Sequence, residues 1–179
     1  MNALVSLLSH DHAEQIRSIW WELESRFAIT TQYVKPFVHF SYHVVADEYD
    51  LRHLGPALDE LSEQHASFRV PTTGTGVFTG SQPVVFVGVA RTPELDEFHQ
   101  QLWDTCTPGF GVGLPYYAPN VWVPHVTLAQ GVHAGEHLPE IMKFLEDLAL
   151  DWELDVDNLA VIEDGGKERG LIHQVALGG

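Results

Sequence analysis

Two short strings, His39-Phe40-Ser41 and His125-Val126-Thr127, constrain this chain more than anything else in it. Each places an imidazole two residues before a hydroxyl, inside an apolar, β-prone run. On a regular strand, residues i and i+2 share a face, roughly 7 Å apart, so each string aims a titratable ring and a hydroxyl the same way. The second string begins 86 positions after the first, close to half of the 179 residues. A duplicated lobe satisfies that spacing, with the two strings facing each other across a shared cleft.

The rest of the chain reads as two rounds of strand and helix. Ala3–Leu8 is a short apolar run with strand character. Asp11-His12-Ala13-Glu14 has the form of a capping box, an acidic N-cap with Glu at the third helical position. Ile16, Ile19, Trp20, Leu23 and Phe27 follow as one helical stripe. Phe37–Val45 is the first motif strand. Leu51, Leu54, Leu58 and Leu61 mark a second helix, with Gly55-Pro56 as a kink or restart. Phe68–Val70 and Gly76–Thr79 read as two short strands split at Pro71. The second round has a strand at Val84–Ala90, a Thr92 N-cap with Pro93 at the first helical position, and a stripe of Leu95, Phe98, Leu102 and Cys106. Val121–Ala129 is the second motif strand. Pro139 opens a helix carrying Ile141, Phe144, Leu145 and Leu148. Closing strands near Leu159–Glu163 and Leu171–Leu177 flank the turn Asp164-Gly165-Gly166-Lys167. The expected fold is α+β: one bilobal domain over residues 1–179, with pseudo-repeats of about 1–82 and 83–179. Two antiparallel sheets line a central cleft, and helices pack outside.

Charge narrows the function classes. Nine Lys+Arg against 25 Asp+Glu give a formal net charge of −16. A field of that sign repels long nucleic acid, whose binding rests on cations neutralising phosphates. It favours a small or end-bound phosphorylated substrate over a duplex, although acidity also serves solubility alone. No apolar run reaches the roughly 20 residues of a membrane helix. Met1–Leu8 lacks a basic flank and a small-residue cleavage site, which argues against a secretory signal. Cys106 is the single cysteine, so no internal disulfide forms and a cytoplasmic setting is expected. A monomer is the expected state.

Alone, the strings are weak signals. Eleven histidines in a chain of this length, with its Ser and Thr content, give about one chance match, and His65-Ala66-Ser67 at a helix end is such a match. Context raises the other two: both sit in β runs at matching places. With their flanks, Phe37-Val38-His39-Phe40-Ser41-Tyr42 and Pro124-His125-Val126-Thr127-Leu128, they resemble the 2H phosphoesterase superfamily, and within it the 2′-5′ RNA ligase-like branch. That family carries two His-x-Thr/Ser-x motifs with apolar x. The Gly76-Val77-Phe78 segment, the strand and helix that follow it, and the closing Leu159–Leu177 also resemble the family. The resemblance implies a bilobal fold and metal-independent cleavage of 2′,3′-cyclic phosphates or related diesters. Ser41 stands where many members carry Thr, which keeps the hydroxyl.

The residues support that chemistry directly. Histidine gives or takes a proton near neutrality. Opening a cyclic phosphate needs a base for water and an acid for the departing sugar oxygen, and His39 with His125 supplies the pair. Ser41 and Thr127 can donate to the non-bridging oxygens, where charge grows in the transition state. Family analogy makes His125 the base and His39 the acid. His43, two residues past Ser41, is expected on the same strand face, either orienting substrate or holding His39 in its tautomer, or else as a core or rim histidine. Tyr33 and Lys35 have the same parity and line the cleft mouth if the strand begins early. Gly109-Phe110-Gly111-Val112-Gly113 follows a helix and fails the dinucleotide fingerprint. Tyr116 and Tyr117, in the loop before the second motif, could stack a base or pack locally; Tyr117 is the candidate substrate-lining residue. Trp20 belongs to the core stripe and needs no ligand.

No cofactor is expected. His10-Asp11-His12 and His133…His137 are the nearest approaches to a metal site, but a His-Glu-x-x-His string is missing and one cysteine makes no thiolate zinc site. The expected partner is a small cyclic nucleotide or an RNA terminus, with neither long duplex nor membrane. The reading within the class that competes with hydrolysis is reversible 2′-5′ RNA ligation. Outside it stand a non-catalytic nucleotide-binding module and a His-rich metalloprotein.

Overall fold

The computed structural model describes residues 2–30, 37–107, 112–163 and 170–178. Eight strands and five α-helices follow one another along them. The strands are β1 (Asn2–Leu7), β2 (His39–Val45), β3 (Phe68–Phe78), β4 (Val84–Val89), β5 (His125–Gln130), β6 (Glu153–Val156), β7 (Asn158–Glu163) and β8 (Leu171–Ala176). The helices are α1 (His10–Phe27), α2 (Leu51–Gln64), α3 (Pro93–Cys106), α4 (Val132–Glu136) and α5 (Leu138–Glu146), with a 3₁₀ turn at Pro115–Tyr117. The fold is mixed, with helices set against an antiparallel sheet. In place of two sheets there is one, of eight strands in the order β6-β3-β4-β5-β2-β1-β7-β8.

The two motif strands lie side by side at the centre, joined by a single register pair, Phe40 with Val126. The ladders on either side are longer: β1 with β2, and β4 with β5. The sheet is thus continuous through its thinnest seam, and that seam runs between the two His-x-Ser/Thr strings. Chain order does not map simply onto the two sides. β3 crosses to pair with β4 and β6, while β7 returns to pair with β1.

The helical stripes do what their spacing requires. Ile16, Ile19, Trp20 and Leu23 of α1 are buried, as are Leu54, Leu58 and Leu61 of α2 and Leu95, Phe98, Leu102 and Cys106 of α3. They join Phe40, Val126 and Leu128 in one core. Each fully buried large apolar side chain contributes about 1.5–3 kcal/mol. A small second cluster, Ala3, Val5, Val44, Ala160 and Ile162, covers the other side of the sheet.

Several local expectations change. Helix α1 starts at His10 with Ser9 as N-cap, and Ser9 Oγ meets His12 Nδ1 instead of a backbone N–H. Asp11 therefore sits in the first turn, where its charge favours the helix dipole, and the capping box does not form. Thr92 does cap α3, its Oγ1 accepting from the Leu95 N–H at 3.2 Å. Pro56, the sixth residue of α2, lies inside the helix without ending it; its missing N–H leaves the Arg52 carbonyl without its i+4 donor. Phe68–Phe78 is one strand, not two. Pro71 is tolerated because β3 changes partner there: up to Pro71 it pairs with β6, and from Thr72 onward with β4. The second motif strand begins at His125, four residues later than the apolar run suggested, because Pro124 and the turn before it lie outside the ladder. Strand β6 and helix α4 were not legible as elements. The turn Asp164–Lys167, Tyr33, Lys35 and Gly109–Gly111 lie outside the described residues.

Candidate active site

His39, Ser41, His125 and Thr127 line one pocket over the seam, together with Trp20, Phe37, Tyr117 and Val126. The strand geometry explains the convergence. On both motif strands the apolar neighbours face the core: Phe40 and Val126 are each 1% exposed. The His and the hydroxyl residue on either side of them are only half-buried. Pairing Phe40 with Val126 therefore lays both His–hydroxyl pairs side by side.

Both imidazoles are oriented the same way. His39 Nδ1 lies 2.6 Å from the Phe37 carbonyl, and His125 Nδ1 lies 2.7 Å from the Val123 carbonyl. A carbonyl only accepts, so Nδ1 carries the proton in each ring. The His125 ring is further fixed by Phe78 and Phe86, with centroids at 4.9 and 5.1 Å. Phe86 in turn sits where a Cβ on Gly76 would be, 2.6 Å from its ring.

A β-bulge follows the hydroxyl residue in both strings. On β2, Ser41 pairs with Val5 but His43 pairs with Leu4, leaving Tyr42 as the extra residue. On β5, Thr127 pairs with Phe86 but Ala129 pairs with Val85, leaving Leu128 extra. A bulge swings the strand and re-aims the side chains beyond it. The i, i+2 rule that put His43 beside Ser41 fails across it. His43 is fully buried and does not line the pocket. Its Nδ1 donates to the Tyr49 hydroxyl at 2.8 Å, and that hydroxyl donates to the His43 carbonyl.

Next to the bulges, two tryptophans hold the motif backbone. Trp122 Nε1 donates to the Ser41 carbonyl at 2.9 Å, and Trp20 Nε1 donates to the Thr127 carbonyl at 3.1 Å. The carbonyl of each hydroxyl residue thus accepts an indole N–H. The helical stripe placed Trp20 in the core, but no periodicity signals its indole bond, and Trp122 stands in an irregular segment before the second motif. Beneath Trp122, His99 stacks at 3.7 Å between ring centroids and donates Nε2–H to the Tyr42 carbonyl. Burial holds both His43 and His99 down at about 4, with mutual repulsion adding to the effect on His43. Their second ring nitrogens, His43 Nε2 and His99 Nδ1, are buried without a partner, which fits two neutral rings.

Tyr117 lies on the 3₁₀ turn and lines the pocket. It also lines an adjoining groove of about 530 Å³ that runs from His125 past Phe78, Tyr116, Val121 and Val123. Tyr116 is the most open of these, 79% exposed. Among the described residues, no three of His, Cys, Asp and Glu cluster as a metal site would require. Of the two histidine pairs noted in the sequence, His12 stacks near Trp152, His133 Nδ1 meets Glu136, and His137 packs on Phe27. No described helix is long and apolar enough to cross a membrane.

Comparison with protein families matches residues 9–168 to the model of the 2'-5' RNA ligase superfamily. Comparison with curated proteins returns no match.

Proposed function

The chain belongs to the 2'-5' RNA ligase superfamily of phosphoesterases and ligases, and from that membership and the pocket we propose that it is a metal-independent phosphodiesterase opening a 2′,3′-cyclic phosphate. The carrying observation is that His39 and His125 line one pocket with the same Nδ1-to-carbonyl orientation. In this reading His125 takes a proton from water through Nε2 as the water attacks phosphorus. His39, protonated, gives its Nε2 proton to the departing sugar oxygen. One P–O bond forms, one breaks, and the product is a phosphate monoester. Each acid–base partner is worth typically 10²–10⁴-fold. Ser41 and Thr127 donate to the non-bridging oxygens, where each such contact lowers the barrier only if it strengthens in the transition state. The matched bulges and the matched His–carbonyl bonds are what a duplicated lobe would carry, and we read the bilobal plan from them.

The test is turnover of a 2′,3′-cyclic mononucleotide in excess chelator. The expected result is product, with a bell-shaped pH–rate profile that loses one limb in His39→Ala and the other in His125→Ala. Unchanged turnover in either variant, or turnover abolished by chelator and restored by a divalent cation, refutes the mechanism. Binding without turnover would indicate a nucleotide-binding module.

A further inference from the structure

We propose that Asn158, the first residue of β7, is a positioning residue for the first motif: its side-chain amide fixes the backbone opposite His39, and Ser6 links its carbonyl to Tyr42. The inference rests on the functional reading above for the role of His39.

The amide stands in for a step of the sheet ladder. β1 and β7 pair in register from Asn2 with Glu163 to Val5 with Ala160. Carried two residues further, the same register sets Leu7 opposite Asn158. There the side chain makes the bonds. Asn158 Oδ1 accepts from the Leu7 N–H at 3.0 Å, and Nδ2 donates to the Leu7 carbonyl at 2.9 Å. Nδ2 also donates to Asp157 Oδ1 at 2.7 Å. An N–H only donates, and a carbonyl or carboxylate only accepts, so these three partners fix which way the amide faces. On its other side, Leu7 is the register partner of His39. The Leu8 N–H donates to the Val38 carbonyl at 3.0 Å, which is the flanking bond of a non-hydrogen-bonded pair, where facing residues stand closest. Leu7 therefore turns both its backbone groups away from His39, and Asn158 receives them.

A second arm reaches the other end of the motif. Ser6 Oγ donates to the Asn158 carbonyl at 2.7 Å. A hydroxyl has one proton, so the 2.8 Å contact between Ser6 and Tyr42 is donated by the tyrosine. Tyr42 is the extra residue of the bulge, next to Ser41. Ser6 and Tyr42 are fully buried and Asn158 is 8% exposed, and a buried, connected polar chain rigidifies what it joins. One residue thus braces the strand at His39 and beside Ser41. His125 is held by other means, the rings of Phe78 and Phe86, so the brace acts on one histidine of the pair.

The test combines steady-state kinetics on a 2′,3′-cyclic mononucleotide with the imidazole Nδ1–H signals of His39 and His125, read by NMR on nitrogen-labelled full chain. Asn158→Ala should lower kcat about ten- to hundredfold with KM nearly unchanged, the scale of a misplacement of about 1 Å. In a His39→Ala background the same substitution should lower kcat no further, because the two act through one group. The His39 signal should shift or broaden while that of His125 stays. Asn158→Asp keeps the size and the acceptor for the Leu7 N–H but loses the donor to its carbonyl, and should show the same effects in smaller measure. Ser6→Ala cuts only the Tyr42 arm and should lower kcat less than Asn158→Ala. Thr72→Ala is the control. Thr72 Oγ1 likewise ties buried backbone, donating to the Leu150 carbonyl and accepting from the Trp152 N–H, but β4 and β5 separate its strand from β2. It should lower the denaturation midpoint with kcat retained. The proposal is overturned if folded Asn158→Asp keeps full kcat and an unmoved His39 signal. It is also overturned if Asn158→Ala lowers kcat as much in the His39→Ala background as in the parent, or if Thr72→Ala lowers kcat equally. A parent chain that does not turn the ester over defeats the phosphodiesterase reading, and the His39 signal then decides the brace alone: displaced in the Asn158 variants it stands, unmoved it falls.

Discussion

Replacing Trp122 by phenylalanine removes one N–H from the backbone of the first motif while keeping an aromatic ring in the core. The structure sets the size of the effect. The lost bond is the 2.9 Å contact from Nε1 to the Ser41 carbonyl, at a residue that is 1% exposed. A typical net hydrogen bond is worth about 0.5–1.5 kcal/mol, and leaving a buried carbonyl unpaired costs about 1–3 kcal/mol. The smaller ring also leaves a void against His99, which stacks at 3.7 Å. Together these give a destabilisation of about 2–4 kcal/mol by urea denaturation with an unchanged m-value. The catalytic effect should exceed what stability explains. Ser41 sits immediately before the Tyr42 bulge, so a freed carbonyl lets the Ser41 hydroxyl and the His39 ring drift relative to the second motif. Misplacement of about 1 Å can cost about a hundredfold. The expected outcome is a kcat drop of about ten- to hundredfold with KM nearly unchanged, and Trp20→Phe should behave alike through Thr127. Leu58→Ala is the control: fully buried on α2, which packs against β7 and β8, it should cost about 2–5 kcal/mol with kcat retained at temperatures where the variant is folded. The reasoning is refuted if Trp122→Phe loses less than about 0.5 kcal/mol, or if it loses stability with kcat intact.

Three further outcomes follow from the same structure. Ser41→Ala and Thr127→Ala should each lower kcat about ten- to a thousandfold, the scale of a lost transition-state donor, with the fold unchanged by circular dichroism. Burial lowers His43 and His99 from the ordinary 6.5 to about 4. The unfolded chain therefore binds protons that the folded chain refuses, and their stabilising contribution, whole above pH 6.5, is lost as pH falls from 6.5 toward 4. Denaturation midpoints should fall over that window, and His99→Gln, which keeps a donor for the Tyr42 carbonyl, should flatten the decline. Gly113→Ala should destabilise the fold by roughly 1–3 kcal/mol through overpacking, because the added Cβ would lie 2.4 Å from His43 Nε2 and 2.8 Å from the Trp103 ring; a midpoint equal to the parent's would show that the neighbours yield freely.

Much of this was legible before any coordinate. The helical stripes in α1, α2 and α3 buried the residues their spacing named, because amphipathic period is a local property that packing rarely overrides. The Thr92 cap is local too, since its hydroxyl accepts from an N–H only three residues on. Expectations failed where a partner strand decided the outcome. Pro71 looked like a break, yet β3 runs through it by exchanging β6 for β4. The four residues of β6 carry too little pattern to be seen, and pairing with β3 makes them a strand.

His43 marks the boundary between the two kinds of information. Composition, the 86-residue spacing and the apolar neighbours of each string placed His39, Ser41, His125 and Thr127 as a set, because alternation along a regular strand is written in the local sequence. Only the tertiary structure inserted Tyr42 as an extra residue opposite β1, turned His43 into the core, and brought the Trp122 and Trp20 indoles to the carbonyls beside the bulges. The register of two strands and the bonds of a distant ring depend on chain segments far apart in sequence, and no local pattern encodes them.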